Sequence, residues 1–396
     1  MSLIERIQEA LRAEGVDGWL LFDFHHRDPL SYRVLQLPME TMTTRRWFYF
    51  IPASGEPLRL VHAVEKTKLD ALPGKKIVYR AWKELHRLLA ETLGSCRILA
   101  MNMSPMNHIP YVSLADAGTV ELVRSFGPEV KSSANLIQAF EAVIPESGYQ
   151  LHLEAGRKVH AIKDEAFSLI ESMIRKGESI TEYEVQQFIV KRFSDEGLTC
   201  DGDEPIVGVN EHPADPHFMP TPENSYAIKK GDTLLIDLWA RLDRPDGIYH
   251  DITWCGYLGS TPPDEYERIF DTVVKARDRA VMFARERFSG GVGVHGWEVD
   301  DACREVVSGA GYGDFFVHRT GHSIGREVHG NGVNIDNLET KDERPLVPGI
   351  CFSVEPGIYL EGKMAVRTEV DVFVTHDNRV EVTGPSQEKL LLLNVD

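Results

Sequence analysis

The first part of the chain, about 145 residues, alternates between the apolar periods of helices and of strands. Ser2 and Glu5 predict a capping box for an opening helix whose apolar residues recur at helical spacing. GWLLFD then predicts a buried strand, and WFYFIPASGEPLRLVH predicts a hairpin that turns at Ser54-Gly55. A helix over 84–91 and a strand in CRILAMN follow. Such alternation is typical of a compact α/β domain.

The rest of the chain contains the same order of elements twice. Pairs of helical patterns, over 150–197 and 263–309, are each followed by strands and then by a hairpin. The second helix of each pair carries a similar tripeptide, EVQ at 184–186 and EVD at 298–300. Two α-α-β-β units that share one sheet would bring their strand-borne side chains toward a common axis.

Length and charge exclude several classes of protein. The chain has 396 residues, with 43 basic and 61 acidic side chains and a net charge of −18. This length suits two or three domains. The acidic balance argues against nucleic acid and against anionic membrane surfaces as partners, because both attract a basic surface. The sequence has no run of about 18 apolar residues, so no transmembrane helix is predicted.

The cysteines and the N-terminus predict a cytoplasmic protein. The sequence has five cysteines, dispersed and without a CxxC pair, as is typical of reduced thiols. The opening segment MSLIERIQEALRAEG carries charges throughout and lacks the apolar core of a signal peptide.

The two hairpins of the repeated part each contain two acids at the same spacing. Asp237 and Asp251 are 14 residues apart, and so are Glu355 and Glu369. Each acid interrupts an apolar run, and a buried carboxylate is costly unless it is paired or bound to a metal. A separation of this length fits two short antiparallel strands and their turn, which predicts that the acids of each pair lie next to each other.

A glycine-rich segment between the hairpins, HRTGHSIGREVHGNG, adds three histidines: His318, His322 and His329. Four carboxylates and one imidazole form an oxygen-rich donor set that suits a pair of divalent ions, with Mn²⁺ first and Co²⁺, Fe²⁺ or Zn²⁺ as alternatives. Buried salt bridges are a reasonable alternative for any one of these acids, but a poor one for four acids on paired strands.

These motifs, in this order, resemble the creatinase/methionine-aminopeptidase superfamily of metallopeptidases, which has the pita-bread fold. The motifs are LLIDLW, HDIT, TGHSIG, VEPGIY and VRTE. Within the superfamily the chain is most similar to Xaa-Pro dipeptidases (prolidases) and aminopeptidase P, over about residues 150–385. The resemblance implies an α+β fold. It places a catalytic pita-bread domain with a pseudo-twofold α-α-β-β repeat over 148–396, and a smaller creatinase-type α/β domain over 1–147.

The resemblance implies that five residues hold the two metal ions: Asp237, Asp251, His322, Glu355 and Glu369. Asp251 and Glu369 would bridge both ions. Asp237 would bind one ion, and His322 with Glu355 would bind the other. Glu355 would also act as the general base.

Three further residues match family positions in the substrate site. His217 in DPHFMP and His329 in REVHG would hydrogen-bond the substrate carbonyl or the tetrahedral intermediate. Arg367, in VRTE, would orient Glu369 or bind the carboxylate of the substrate. Each of the three also has a purely structural interpretation, as a histidine or arginine whose hydrogen bonds are satisfied within the fold.

The implied activity is hydrolysis of the peptide bond before proline, in a dipeptide or short peptide, by a homodimer. Two alternatives remain open. The same fold could support metal-dependent hydrolysis of a non-peptide amide or another small molecule. A non-catalytic peptide-binding module is a further alternative, although such a module would be expected to have lost its metal ligands.

The sequence departs from the family pattern at three places around these motifs. Trp254 follows DIT where arginine is frequent, and GHSIG carries Ser323 in place of a glycine. HGNG, at 329–332, stands where many aminopeptidases have HEPP. All five predicted metal ligands are retained.

Overall fold

The computed structural model describes residues 1–395. It divides into two compact units, Met1–Glu141 and Ala142–Asp396. The boundary predicted from the sequence, at 147/148, lies a few residues beyond this division and stays a prediction for the limits of independently folding domains.

The N-terminal unit is a six-stranded mixed sheet with helices, in the strand order β4-β3-β2-β1-β5-β6. Its helices are α1 (Leu3–Ala13), α2 (Pro29–Leu35), α3 (Trp82–Leu93), α4 (Ala117–Arg124) and α5 (Ala134–Ile137). Its strands are β1 (Gly18–Asp23), β2 (Trp47–Pro52), β3 (Leu58–His62), β4 (Lys75–Tyr79), β5 (Ile98–Met101) and β6 (Glu129–Ser132).

Local sequence signals explain the start of this unit. Ser2 and Glu5 form the predicted capping box, with Ser2 Oγ accepting from the Glu5 N–H at 3.3 Å. The predicted strand GWLLFD is β1, and all six of its residues are buried because it pairs on both edges. The predicted hairpin is β2 and β3. The α/β character predicted for this part of the chain is therefore present.

The C-terminal unit contains four long helices and eleven strands among the described residues. The helices are α6 (Glu146–Arg175), α7 (Glu182–Asp195), α8 (Asp264–Ser289) and α9 (Gly296–Gly309). The strands of its first half are β7 (Leu198–Thr199), β8 (Ile206–Val209), β9 (Thr233–Leu242) and β10 (His250–Leu258). The later strands are β11 (Ser323–Ile324), β12 (Cys351–Val354), β13 (Gly357–Leu360), β14 (Met364–Arg367), β15 (Val370–Val374), β16 (Val380–Val382) and β17 (Leu391–Leu393).

Packing within the C-terminal unit follows the predicted repeat. One hydrophobic cluster joins α6 and α7 to β9 and β10, and a second joins α8 and α9 to β12, β14 and β15. Both second helices begin with a capping box, Thr181 with Glu184 and His295 with Glu298. The shared tripeptide therefore lies at equivalent positions of the two helices. The predicted α+β class is confirmed.

Each predicted hairpin is present, but the second one is interrupted. β9 and β10 pair without a break from Thr233 to Ala240. The second hairpin is made of β12 with β15 and β13 with β14, separated by short irregular stretches. No helix within residues 1–395 is long and apolar enough to span a membrane.

Candidate metal centre and active site

All eight residues predicted for the site line one cavity of about 590 Å³ in the C-terminal unit: Asp237, Asp251, His322, Glu355, Glu369, His217, His329 and Arg367. Asp237 lies in β9 and Asp251 in β10. His322 directly precedes β11, and Glu355 directly follows β12. Glu369 lies between β14 and β15.

The acids of the first hairpin share a face but are not directly opposite each other. Asp237 faces Thr253 across the ladder, and Asp251 faces Trp239. Because side chains alternate along a strand, Asp251 and Thr253 point to the same side, and Asp237 joins them there. The prediction of directly neighbouring acids is corrected to a diagonal pair, with Thr253 between them in register.

The acids of the second hairpin are directly opposite each other. β12 and β15 pair with Val354 opposite Val370, and β13 and β14 pair with Gly357 opposite Arg367. From the first pair to the second, the chain advances three residues on one strand and goes back three on the other, so the two ladders share one register. This register places Glu355 opposite Glu369. Equal spacing in sequence therefore gives different registers in the two hairpins, because their turns differ in length.

His322 connects the acids of the two hairpins. Its Nε2 lies 3.2 Å from Glu355 Oε1 and 3.7 Å from Asp251 Oδ2. Donor atoms of Asp251, His322 and Glu369 all lie within 4.8 Å of one another. These distances allow one ion to contact ligands from both hairpins.

Thr253 and Arg367 link the remaining acid, Asp237, to this group. Thr253 Oγ1 lies 3.0 Å from Asp237 Oδ1 and 2.7 Å from Glu369 Oε2, and it accepts from Arg367 Nε at 3.0 Å. Arg367 Nη2 donates to Asp237 Oδ2. The main-chain N–H of Glu369 also donates to the Thr253 carbonyl at 3.2 Å, which fixes the second hairpin against the first.

The donor set fits divalent cations. Asp251 Oδ1 and Glu369 Oε1 are buried and have no hydrogen-bond partner among the described residues. Burial, followed by repulsion from the neighbouring carboxylates, raises the pKa of Asp251 and of Glu369 well above the ordinary range. Burial raises the pKa of Asp237 to about 6, although Arg367 acts in the opposite direction. The single positive charge of Arg367 does not balance the four carboxylates. Divalent cations bound at the bare oxygens would balance them.

His322 is suited to bind a metal as a neutral imidazole. Burial, with a smaller contribution from the positive charge of Arg319, lowers the pKa of His322 to about 3. A neutral ring keeps a lone pair for a metal, whereas a protonated ring does not. Its Nδ1 lies 3.2 Å from the Ser323 carbonyl, a partner that favours Nδ1–H and leaves Nε2 free toward the acids.

The residues predicted for substrate contact take different positions around this centre. The His329 ring lies at 4.3 Å from the His322 ring, centroid to centroid, in an edge-on arrangement. His217 is exposed on a loop after β8 and lines the cavity from that side. Arg367 is buried, and each of its three guanidinium nitrogens donates a hydrogen bond, to Thr253, Tyr359 and Asp237 respectively.

Sequence reasoning missed two hydroxyl groups that position these residues. Tyr359 OH lies 2.7 Å from His318 Nε2 and 3.1 Å from Arg367 Nη1, so it joins the His318 ring to the Arg367 guanidinium. Burial lowers the pKa of His318 to about 3, so this ring is neutral. Ser353 Oγ accepts from the His322 N–H at 3.0 Å and donates to Glu355 Oε1 at 3.0 Å. Ser353 lies two residues before Glu355, which is a signal that the sequence contained.

Two of the departures from the family pattern have a structural explanation. Trp254 lies on the opposite face of β10 from Asp251, where Lys163 Nζ sits 3.7 Å from the centre of its ring. Ser323 Oγ accepts the Gly332 N–H at 3.0 Å and so anchors the HGNG segment that carries His329. Neither Trp254 nor Ser323 is part of the cavity wall described above.

The paired hairpins, the helix pairs and the oxygen-rich centre together define a class of metal-dependent hydrolases with the pita-bread fold. The chain belongs to metallopeptidase family M24, whose family model matches residues 154–376. It is therefore a metallopeptidase, and the family resemblance predicted from the sequence is confirmed.

Individual relatives agree with this assignment. An Xaa-Pro dipeptidase of Lactobacillus helveticus is 32% identical over 181 residues, which cover 46% of this chain and 45% of the relative. The crystal structure of dipeptidase PepE from Mycobacterium ulcerans superposes with a TM-score of 0.69 at 22% identity, over 99% of this chain and 97% of the other. An X-prolyl aminopeptidase of Caenorhabditis elegans, described as a cytosolic enzyme with a di-nuclear active site, gives a TM-score of 0.64 at 18% identity, over 98% of this chain and 62% of the other.

Proposed function

We propose that this metallopeptidase hydrolyses the peptide bond before proline in dipeptides or short peptides, with two divalent ions, Mn²⁺ first, held by Asp237, Asp251, His322, Glu355 and Glu369. One observation carries the proposal. A single cavity combines this donor set, including two bare carboxylate oxygens, with histidines on its wall. The relatives that act on Xaa-Pro bonds support the choice of substrate.

The wall of the cavity supports a proline substrate. Part of it is apolar, formed by Ile206, Pro216, Met219, Val317, Val328 and Trp239. Such a surface suits the pyrrolidine ring, because burial of its methylene groups is favourable. An Xaa-Pro bond also has no N–H, so the site needs no acceptor for one.

The chain's own residues then have separate tasks. Bound divalent ions supply Lewis-acid polarisation of the carbonyl and lower the pKa of water. Glu355 is placed to accept a proton, since Ser353 holds its Oε1 while Oε2 lies 3.9 Å from Arg367 Nε. His217 and His329 face the cavity from two sides and would hydrogen-bond the scissile carbonyl. Arg367 positions Asp237 and the Thr253 hydroxyl.

Assembly and location belong to the same proposal. A homodimer is expected from the family resemblance, and a cytoplasmic location from the dispersed cysteines. The di-nuclear, cytosolic relative supports the metal count and the location.

The experiment that tests the function is release of proline from Ala-Pro by the purified chain supplied with Mn²⁺. We expect proline from the wild type and none from Glu369→Ala, which removes a bare carboxylate of the centre. Glu305→Ala is a matched control, because Glu305 is an exposed acid on α9 and does not line the cavity. If the metal-loaded wild type releases no proline but cleaves Ala-Ala or a non-peptide amide, the Xaa-Pro assignment is wrong.

A further inference from the structure

A second group of metal-binding side chains lies behind β10, on the side away from the cavity. It consists of His152 from α6, His250 from β10 and Asp371 from β15. Their exposed fractions are 0%, 0% and 1%. His250 and Asp251 are consecutive in β10, so their side chains point to opposite faces of the sheet.

The three donor atoms form a triangle of suitable size for a metal ion. His250 Nδ1 lies 3.3 Å from Asp371 Oδ2 and 3.3 Å from His152 Nε2. The third side, from His152 Nε2 to Asp371 Oδ2, is 3.9 Å. An ion equidistant from these three atoms would lie about 2 Å from each, which matches Zn–N and Zn–O bonds of about 2.0–2.2 Å.

The position of the hydrogen on the His152 ring favours metal binding by this triangle. Its Nδ1 lies 2.6 Å from the Tyr249 carbonyl oxygen, which can only accept, so Nδ1 carries the hydrogen. Nε2 is then an unprotonated donor that faces the triangle. A ring fixed by an Nδ1–H bond to a main-chain carbonyl is the usual arrangement of a metal-binding histidine.

His152 Nε2 also contacts the hydroxyl of Thr383, and a bound ion could displace this contact. Thr383 Oγ1 lies 2.7 Å from this nitrogen, but it has a second acceptor, the main-chain oxygen of Asp371, at 3.3 Å. The Cys351 thiol also borders the triangle, with Sγ at 3.9 Å from Nε2. Sulfur is a donor that zinc accepts readily.

The carboxylate of Asp371 lacks any other counter-ion. Among residues 1–395 its ion-pair partners are the two histidines alone, and its Oδ1 has no hydrogen-bond partner there. A buried carboxylate in that situation is costly, whereas a divalent ion bound with two neutral imidazoles would balance it.

We propose that His152, His250 and Asp371 bind one divalent transition-metal ion of the zinc type, separate from the centre in the cavity. The ion would connect α6, β10 and β15. Asp371 Oδ2 also accepts the main-chain N–H of Asp251 at 2.8 Å. The ion would therefore hold the backbone that carries one of the proposed ligands of the cavity centre, and its role would be structural.

Burial gives a way to separate the two sites experimentally. The centre in the cavity is open to a chelator, whereas the second triangle is enclosed. The full-length chain, produced with added zinc, is dialysed against EDTA at native pH, and its zinc is counted by mass spectrometry. We expect one ion per chain to remain after peptidase activity has been lost. Zinc K-edge absorption should show imidazole scattering at about 2.0–2.1 Å.

Variants identify the ligands. Asp371→Asn keeps an oxygen acceptor for the Asp251 N–H but removes the charge, and His250→Ala removes a nitrogen donor. Both should retain no zinc after dialysis. His160→Ala is the matched control, because His160 is a buried neighbour whose ring nitrogens contact no partner in the described chain, and it should retain the ion.

The wild-type result decides the matter even if a variant fails to fold. A dialysed, folded wild type without zinc, or with zinc that lacks imidazole ligands, would overturn the proposal. Retention of the ion by soluble Asp371→Asn would do the same. None of these outcomes depends on proline release, so the second site can fail while the proposed peptidase function stands.

Discussion

The N-terminal unit buries Asp23 and Asp28, and the C-terminal unit buries Asp251 and Glu369, so the same kind of group lies in two different surroundings. Asp23 accepts the main-chain N–H groups of His26, Arg27 and Asp28 at 2.7–3.1 Å. It also accepts the Tyr32 hydroxyl at 2.8 Å. Each oxygen of Asp23 therefore has donors from the protein.

The C-terminal acids lack such donors at one oxygen each. Asp251 Oδ1 and Glu369 Oε1 have no partner in the part of the chain that the structure describes. Each of these acids lies close to other carboxylates, which raise its pKa further. The comparison separates two reasons for burying an acid. A carboxylate surrounded by N–H and O–H donors holds the fold together, and one left bare among other carboxylates requires a cation.

The same substitution, carboxylate to amide, should therefore have opposite effects in the two units. Glu369→Gln should lower proline release on the order of 10³-fold, because the charge stabilisation supplied by metal ions is worth several kcal/mol. The metal-free variant should also unfold at a higher temperature than the metal-free wild type, because one of the repelling charges is gone. Activity and thermal unfolding of EDTA-treated protein measure the two effects. A metal-free variant less stable than the wild type would contradict our interpretation of Glu369.

Asp23→Asn should lower the stability of its unit and leave metal binding unchanged. An amide keeps one acceptor oxygen but turns an NH₂ group toward N–H and O–H donors that lose their partner. Hydrogen bonds to a charged group contribute about 1.5–3 kcal/mol each, so a loss of about 2–3 kcal/mol in the unfolding free energy of this unit is expected. This loss can be measured as weaker protection of the β1 amides against hydrogen exchange. The metal content should not change, and loss of bound metal in this variant would break the distinction between the two units.

Local signals explain which parts of the fold could be predicted. The capping boxes at Ser2 and Thr181 depend on residues three apart, and both are present. The buried strand β1 has an apolar run of its own. By contrast, β4 has the sequence KKIVY and β6 has EVKS, and neither gives an apolar pattern because these strands form the edges of the sheet.

The site was predictable in composition but not in register. Apolar flanks and ordered motifs identify the four acids and His322, and the structure brings all of them to one cavity. The spacing of 14 residues, however, does not determine whether Asp237 faces Asp251 or Thr253, because that depends on the turn. The group of His152, His250 and Asp371 joins residues 98 or more apart in sequence, and no local pattern indicates it.

The smallest expected effect concerns the pH dependence of the N-terminal unit. Asp28 is buried, and it accepts from Ser31 and from Asn102 Nδ2. Burial outweighs these hydrogen bonds and raises the pKa of Asp28 from 3.8 to about 6. Between these two values the folded state binds more protons than the unfolded state, so stability falls as the pH rises through this window and is level above it.

Asp28→Asn removes this titration, so the stability of the variant should not depend on pH in this window as that of the wild type does. The total change in the free energy of unfolding across this window is at most about 2–3 kcal/mol, since one pKa unit corresponds to about 1.4 kcal/mol. Hydrogen exchange of β1 and β2, corrected for the intrinsic rate, would be followed between about pH 4.5 and 6.5. The wild-type opening free energy should decrease over this range, while that of the variant should stay level because an amide does not titrate. A wild type that gains stability over the same range would show that hydrogen bonds outweigh burial at Asp28, contrary to our interpretation.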